Sequence, residues 1–150
     1  MLVTIILICY FVPVAVTDAI KKKLPVILLA AGLIPVSAGI LTGMLGPGEE
    51  GFKHALLSNG IGMLLGAAFL IVSFATGEKL GKADAILFCI CGGAVGYEKL
   101  VIIITSAFLL GALYAAAMLA MGRLTRKSSF AFAPFILLGC IMAEVLMYAG

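Results

Sequence analysis

Charged residues are scarce in this sequence. They make up only 11% of its 150 residues, whereas about a quarter of an average soluble domain is charged. Apolar residues account for 64% of the chain, and the mean hydropathy is +1.28. This composition excludes a water-soluble domain and indicates that the lipid bilayer is the solvent of the protein.

Residues that commonly bind metals are also few. The sequence has one histidine, and its four cysteines lie inside apolar stretches without forming a Cys-x-x-Cys pair. Because protein zinc sites combine such residues at short spacings, we expect no metal site in this chain. The cysteines are interpreted as small buried apolar residues: Cys9, Cys89, Cys91 and Cys140.

The apolar N-terminal stretch lacks the features of a cleaved signal peptide. Residues 1–17 contain no basic segment, and no small-residue cleavage site follows them. We therefore interpret them as a retained membrane span. Since a spanning helix needs about 20 residues, the chain accommodates about six spans and leaves no room for a second, soluble domain. We expect a single membrane domain over residues 1–150.

Six apolar runs can be distinguished along the chain: residues 1–17, 24–44, 54–75, 84–97, 100–121 and 131–149. They are continuously apolar, whereas the strands of a membrane barrel alternate polar and apolar residues over about ten positions. We predict an all-α integral membrane protein, a bundle of about six transmembrane helices. Pairs of small residues four positions apart, such as Gly62 and Gly66, are typical of helices that pack closely in lipid.

The basic residues predict how these helices are oriented. Eight of the ten cations fall in the connectors after the first, third and fifth runs: Lys21, Lys22, Lys23, Lys79, Lys82, Arg123, Arg126 and Lys127. If six helices alternate, these connectors lie on one side of the cell membrane, and the positive-inside rule makes that side cytoplasmic. Both termini then face outward. Since the cations serve topology, we expect contacts with membrane lipid and no nucleic-acid partner.

Three of the seven carboxylates lie within or beside the apolar runs: Asp18, Asp84 and Glu144. Ionisable groups in such places are costly and therefore point to a function. The predicted topology puts Asp18 and Asp84 at the same cytoplasmic depth, where they could face each other. Two facing carboxylates can hydrolyse a peptide bond, one activating water and the other polarising the carbonyl group. Glu144 lies nearer the outer face, where we expect a structural pairing or a lipid-interface role.

The surroundings of the two aspartates resemble those in a known family. The segment Asp18-Ala-Ile-Lys-Lys-Lys-Leu-Pro25 resembles the first signature of the type IV prepilin peptidases. Gly81-Lys-Ala-Asp84 resembles the G-x-G-D segment of these membrane aspartic peptidases. Phe132-Ala-Pro-Phe-Ile-Leu-Leu-Gly139 is similar to the proline-aromatic opening of the family's last helix. The three segments occur in the order that the family shows.

The resemblance implies an aspartic endopeptidase with Asp18 and Asp84 as its catalytic pair, and with Pro25, Gly81 and Pro134 supporting the motifs. Its substrates would be precursors of type IV pilins or pseudopilins, cut at the cytoplasmic face between a short basic leader and an apolar helix. Neither a metal nor an organic cofactor is implied. The assignment of base and acid within the pair stays open.

Two positions depart from the family pattern. Ala83 replaces the second glycine of G-x-G-D, which matters only if that position needs the positive φ that alanine tolerates poorly. Val26 stands where the family usually has asparagine. The sequence also shows no N-terminal cytoplasmic region with paired cysteines, which larger members that methylate the new N-terminus possess. We therefore expect a peptidase without methyltransferase activity.

Other interpretations stay open at this point. The aspartates could be structural caps at helix ends. The chain could be a non-enzymatic membrane component, either a small transporter or an assembly subunit, because intramembrane aspartates also hold ions. A transporter should continue a polar pathway toward the outer face, where Glu144 is the only further acidic candidate. The chain could also be another kind of intramembrane aspartic peptidase, cutting signal peptides or transmembrane stubs.

Overall fold

The protein is a bundle of α-helices. The structure, a computed structural model, describes residues 2–21, 25–45, 48–75, 81–122 and 131–149, and within these ranges all regular structure is helical. Six helices follow in chain order: α1 (Leu2–Lys21), α2 (Val26–Ala31), α3 (Leu33–Met44), α4 (Gly48–Ala75), α5 (Lys82–Ala120) and α6 (Ala133–Ala149).

The predicted all-α membrane bundle is confirmed. Four stretches are long and apolar enough to cross a membrane: Leu2–Ile20, Val26–Met44, Gly51–Ala75 and Lys82–Ala120. Helix α6 is apolar but somewhat shorter. Large aliphatic side chains are widely exposed on the outside of the bundle, for example Ile27 and Leu64. In lipid this surface carries no hydrophobic penalty, because the acyl chains are as apolar as the side chains.

The second predicted span consists of two helices. Pro25 precedes α2, and its carbonyl oxygen accepts a hydrogen bond from the backbone N–H of Leu28. Gly32 separates α2 from α3. A Cβ atom at Gly32 would overlap the side chain of Ile90. The break between α2 and α3 therefore lies against the side chain of Ile90 in α5.

Helix α5 is a helical hairpin and not a straight rod. Its 39 residues would extend about 58 Å as one straight helix, almost twice the apolar thickness of about 30 Å. At Gly96 the backbone is non-helical, with φ 81° and ψ 173°. The rings of Phe88 and Phe108 lie 6.1 Å apart, whereas a straight helix would separate these positions by about 30 Å. Residues 82–95 and 97–120 therefore lie side by side as two passes.

The hairpin corresponds to the fourth and fifth predicted spans. The sequence placed their boundary between residues 97 and 100, and the structure places it slightly earlier, at Gly96. Six passes are thus present in the described ranges, counting α2 with α3 as one. The charged residues Glu98 and Lys99 mark this boundary in the sequence, and the turn itself lies two residues before Glu98, at a glycine that hydropathy does not distinguish.

The first half of α5 is the centre of the bundle. Ala85, Leu87, Phe88 and Cys91 are at most 1% exposed, because α1, α3, α4 and α6 surround this segment. Since other helices and not lipid cover it, this pass need not match the full thickness of the bilayer. Its short length, already evident in the sequence, follows from this central position.

Glycines allow α4 to approach this central segment. A Cβ atom at Gly92 of α5 would overlap the carbonyl oxygen of Gly62, and a Cβ atom at Gly66 would lie 2.5 Å from the Cα atom of Cys89. The pair of small residues in α4 therefore lies directly against the backbone of α5. Such close backbone contact is the usual way in which helices pack in lipid.

A polar cluster joins three helices at one end of the bundle. Nζ of Lys99 lies 2.8 Å from Oε2 of Glu144 in α6 and 3.4 Å from Oγ1 of Thr4 in α1. The structural pairing that the sequence suggested for Glu144 is present. We call this end of the bundle the Lys99 end.

We predict that replacing Gly96 by alanine destabilises the protein. The combination of positive φ with extended ψ is essentially restricted to glycine, and forcing another residue into it costs about 1–3 kcal/mol. The added Cβ atom would also overlap Oγ of Ser58. Thermal unfolding in detergent should show a clear decrease in the melting temperature of Gly96→Ala.

Gly60→Ala is the matched control, because no atom lies within 4 Å of a Cβ atom at this position in α4. Alanine favours a helix interior over glycine, so this variant should melt at or slightly above the wild-type temperature. Equal melting temperatures for the two variants would contradict the hairpin geometry.

Candidate active site

Asp18 is a buried carboxylate near the C-terminal end of α1. It is 9% exposed, and its Oδ2 atom accepts a hydrogen bond of 3.2 Å from the backbone N–H of Ala133. Ala133 is the first residue of α6. The first N–H groups of a helix have no partner within that helix, so Asp18 supplies the acceptor that Ala133 lacks.

The residues around Ala133 fix the start of α6. The carbonyl oxygen of Phe132 accepts hydrogen bonds from the backbone N–H groups of Phe135 and Ile136. Pro134 lies in the first turn, where the missing N–H of proline costs no helical hydrogen bond. The segment that resembles the opening of the family's last helix therefore presents an N–H group to Asp18.

Aromatic side chains hold this helix start against α5. The ring of Phe132 lies 5.3 Å from that of Phe108 and 6.2 Å from that of Phe88. Phe69 of α4 lies 5.3 Å from Phe88. Pairs of aromatic rings at these separations attract one another beyond their simple burial. Through this cluster, the position of the Ala133 N–H depends on α4, on both halves of α5 and on α6.

Asp84 lies in the first turn of α5 and is partly buried. Its carboxylate is close enough to that of Asp18 for the two charges to interact. The structure thus places the two predicted catalytic residues at one end of the bundle, which we call the aspartate end. The C-terminal end of α1 and the N-terminal ends of α5 and α6 meet there. The cation pattern predicted that the connectors next to these helix ends lie on the same side of the membrane.

Gly81 makes room for the Asp84 side chain. A Cβ atom at Gly81 would lie only 2.6 Å from Oδ2 of Asp84, so a larger residue would displace the carboxylate. The backbone of Gly81, with φ −59° and ψ 123°, is open to any residue. Its role is therefore spatial and not conformational.

Ala83 does not disturb the geometry of this segment. It lies inside α5, where Gly96 is the one position with non-helical backbone angles among residues 82–120. Positive φ is thus not required at residue 83, and alanine suits a helix better than glycine. The departure from the G-x-G-D pattern has no conformational cost in this structure.

Lys82 and Pro25 have structural roles at the starts of α5 and α2. Nζ of Lys82 lies 5.1 Å from the ring centroid of Phe74, a cation–π contact that ties the start of α5 to the end of α4. Pro25 opens α2. Among the contacts between described residues, none joins Pro25 to either carboxylate.

The sequence did not identify the Ala133 N–H as part of the site. A backbone donor has no side-chain signature, although Pro134 is a signal that a helix begins at this point. Among the residues that the structure describes, no cluster of three or more His, Cys, Asp or Glu side chains is arranged to hold a metal ion.

A curated relative matches part of the chain. Over 85 residues, which cover 53% of this chain, the sequence is 38% identical to a protein of Bacillus subtilis (strain 168) named prepilin leader peptidase/N-methyltransferase. The match covers 34% of the length of that relative, so the matched part of this chain spans about a third of it. No protein-family model and no solved structure matches the chain. The similarity supports the resemblance to prepilin peptidases that the three segments indicated.

We predict that cysteines at positions 18 and 84 can be cross-linked within one molecule. In a background without the four native cysteines, the double variant Asp18→Cys/Asp84→Cys should react with a short bismaleimide. Mass spectrometry of proteolytic peptides would identify the product.

The pair Asp18→Cys/Glu144→Cys is the matched control. Glu144 lies at the Lys99 end beside Thr4, and fourteen residues of helix separate Thr4 from Asp18, which corresponds to about 21 Å. A short reagent cannot span this distance. Cross-linking of the control pair, or no cross-linking of the first pair, would contradict the placement of the aspartates.

Proposed function

We propose that this protein is a membrane-embedded aspartic endopeptidase that removes the short basic leader from type IV prepilin or pseudopilin precursors. The interaction between the Asp18 and Asp84 carboxylates carries this proposal. Two acidic side chains within electrostatic reach of each other at the edge of a lipid-embedded bundle are costly. A catalytic use accounts for both of them.

The 38% identity to a protein named prepilin leader peptidase/N-methyltransferase gives independent support. The signature segments around Asp18, Asp84 and Pro134 support the same family. A structural cap accounts for less of the geometry. It explains why Asp18 accepts a hydrogen bond from the first residue of α6, but it does not explain why a second carboxylate, that of Asp84, lies within electrostatic reach.

The reaction needs one carboxylate in each protonation state. Repulsion between neighbouring carboxylates leaves one protonated while the other is ionised. The ionised group removes a proton from water as the water oxygen attacks the peptide carbonyl carbon, and the protonated group donates a hydrogen bond to the carbonyl oxygen. The tetrahedral intermediate then collapses, the C–N bond breaks, and a proton passes to the leaving amine.

The depth of the pair suits a bond between a polar leader and an apolar helix. Asp18 lies in the last turn of the span Leu2–Ile20, and Asp84 lies in the first turn of the span that begins at Lys82. A substrate helix lying in the bilayer would present its boundary with the leader at this level. In the orientation that the basic connectors favour, cleavage takes place at the cytoplasmic face.

We predict that Asp18→Asn and Asp84→Asn each abolish cleavage. Wild-type protein in liposomes should cut a precursor with a short basic leader at the boundary of its apolar helix. Each variant should reduce the initial rate by at least about a thousand-fold, because acid–base groups commonly contribute about 10²–10⁴. Gel electrophoresis and mass spectrometry of the product would measure the rate and the cleavage site.

Glu98→Gln is the matched control, since it also exchanges a carboxylate for an amide. Glu98 is exposed two residues after Gly96, on the hairpin turn and away from the aspartates. This variant should cut at the wild-type rate. If both aspartate variants are folded and still cut, Asp18 and Asp84 do not catalyse the cleavage and the proposal is wrong. If the wild type cuts no precursor of this kind, the non-enzymatic membrane component is the better explanation.

We predict that Ala133→Pro slows cleavage without unfolding the protein. Proline is tolerated at the first position of a helix, and this exchange removes the N–H group that holds Asp18. Loss of a hydrogen bond to a charged group should lower kcat about ten-fold to a hundred-fold.

The KM for the precursor should change little, because the Ala133 N–H contacts Asp18 and not the substrate. Ala133→Ser keeps the N–H group with a small side chain and should retain most of the activity. An equal loss of activity in both variants would indicate that packing, and not the hydrogen bond, matters at this position.

A further inference from the structure

A second polar feature lies at the Lys99 end, away from the aspartates. It is a cavity of about 290 Å³ between α1, α3, α4 and α5. Its polar lining comes from Thr4, Thr42, Asn59 and Lys99, and the other lining residues are small or apolar. None of the described residues that line it is acidic. The proposed peptidase reaction makes no use of this cavity.

Lys99 has a donor left for a ligand in the cavity. A lysine ammonium group carries three N–H donors. Glu144 Oε2 accepts from it at 2.8 Å and Thr4 Oγ1 at 3.4 Å. Those contacts use two of the three donors. Because Lys99 also lines the cavity, its ammonium group can donate a third hydrogen bond to a ligand there.

Asn59 of α4 supplies further donors in the cavity lining. Its side chain lies beside the non-helical backbone at Gly96, with Oδ1 3.3 Å from the position of a Cβ atom there. A carboxamide offers two N–H donors. The Glu144 carboxylate that pairs with Lys99 is not among the lining residues, so an ammonium group and a carboxamide are the donors that the lining offers to an anion with several acceptor oxygens.

Aliphatic side chains lie beside the cavity. Ile40 and Leu56 line a small adjoining pocket together with Gly43, Ala55 and Asn59, which also line the cavity, and they are 42% and 53% exposed. The cavity also lies near the ends of spans. Thr4 is two residues from the start of Leu2–Ile20, and Thr42 is two residues from the end of Val26–Met44. Phospholipids carry their phosphate groups at this depth, with acyl chains on the apolar side.

We propose that this cavity binds the phosphate group of a phospholipid, with Lys99 and Asn59 as the donors and the neighbouring aliphatic side chains in contact with the acyl chains. The phosphodiester anion supplies the acceptor oxygens, and the lipid tails distinguish this ligand from a soluble phosphate. Basic pockets between membrane helices recognise lipid head groups on the cytoplasmic or matrix side, and the same chemistry applies at the Lys99 end.

Native mass spectrometry of the detergent-purified full chain tests the proposal. Dioleoyl phosphatidylglycerol is compared with a dioleoyl glycolipid that has the same acyl chains but a sugar in place of the phosphate. The wild type should retain the phospholipid about ten-fold better, the typical effect of one charge-assisted hydrogen bond. Equal retention of the two lipids would overturn the assignment of a phosphate site.

Two variants locate the site. Lys99→Gln and Asn59→Leu should each remove most of the preference for phosphatidylglycerol. Asn59→Leu leaves the Lys99–Glu144 ion pair intact, so the test stands even if Lys99→Gln fails to fold. Lys53→Gln, an exposed lysine of α4 that does not line the cavity, should keep the full preference. If Asn59→Leu also keeps it, the lipid binds elsewhere and the proposal is wrong.

Soluble glycerol phosphate separates a lipid from a free anion. It carries the same phosphate chemistry without acyl chains, so it should not displace bound phosphatidylglycerol at comparable concentration. Displacement at equal concentration would show that the cavity binds a soluble phosphate and would overturn the lipid assignment.

Discussion

The reversal of the chain at Gly96 is the constraint on which the rest of the structure depends. It turns a 39-residue helix that no bilayer could accommodate upright into two adjacent passes. One consequence is that Phe88 and Phe108 meet in the interior. Another is that the chain after Lys99 returns toward the aspartate end. A single backbone conformation, accessible to glycine, thus lets both halves of α5 contribute to the same bundle.

Ionisable groups have different partners at the two ends of the bundle. At the Lys99 end an ammonium group and a carboxylate neutralise each other at 2.8 Å, which is the least costly way to keep ionisable groups near lipid. At the aspartate end two groups of the same sign lie within reach of each other, and in the described part of the chain a backbone donor from α6 binds one of them. An arrangement that stores unfavourable electrostatic energy is typical of a site that performs chemistry.

Much of the fold follows from hydropathy and from the positions of the basic residues. The apolar runs correspond to the six passes, and the connectors rich in lysine and arginine correspond to the helix ends that gather around Asp18 and Asp84. Motif resemblance then drew attention to both aspartates, to Gly81 and to Pro134. The prediction of an all-α membrane bundle succeeds because a membrane imposes length rules that a linear sequence records directly.

The remaining details depend on distances that a sequence does not contain. The charged residues Glu98 and Lys99 mark the neighbourhood of the turn, but nothing in the pattern singles out Gly96 as the residue at which the chain reverses. The role of Gly81 lies in the space beside Asp84, and nothing in the one-dimensional pattern distinguishes such a glycine from one needed for its φ angle. The donor at Ala133 belongs to the backbone, so no side-chain pattern could reveal that it lies beside a residue 115 positions earlier.

The 115 positions between Asp18 and Ala133 also have a consequence for biosynthesis. Ribosomes add about 5–20 residues per second, so the partner of Asp18 emerges roughly ten seconds after Asp18 itself. Until α6 inserts, the Asp18 carboxylate lacks the N–H group of Ala133 as a partner. A molecule interrupted before this step holds both aspartates without that hydrogen bond, and the order of translation itself delays completion of the site until α6 arrives.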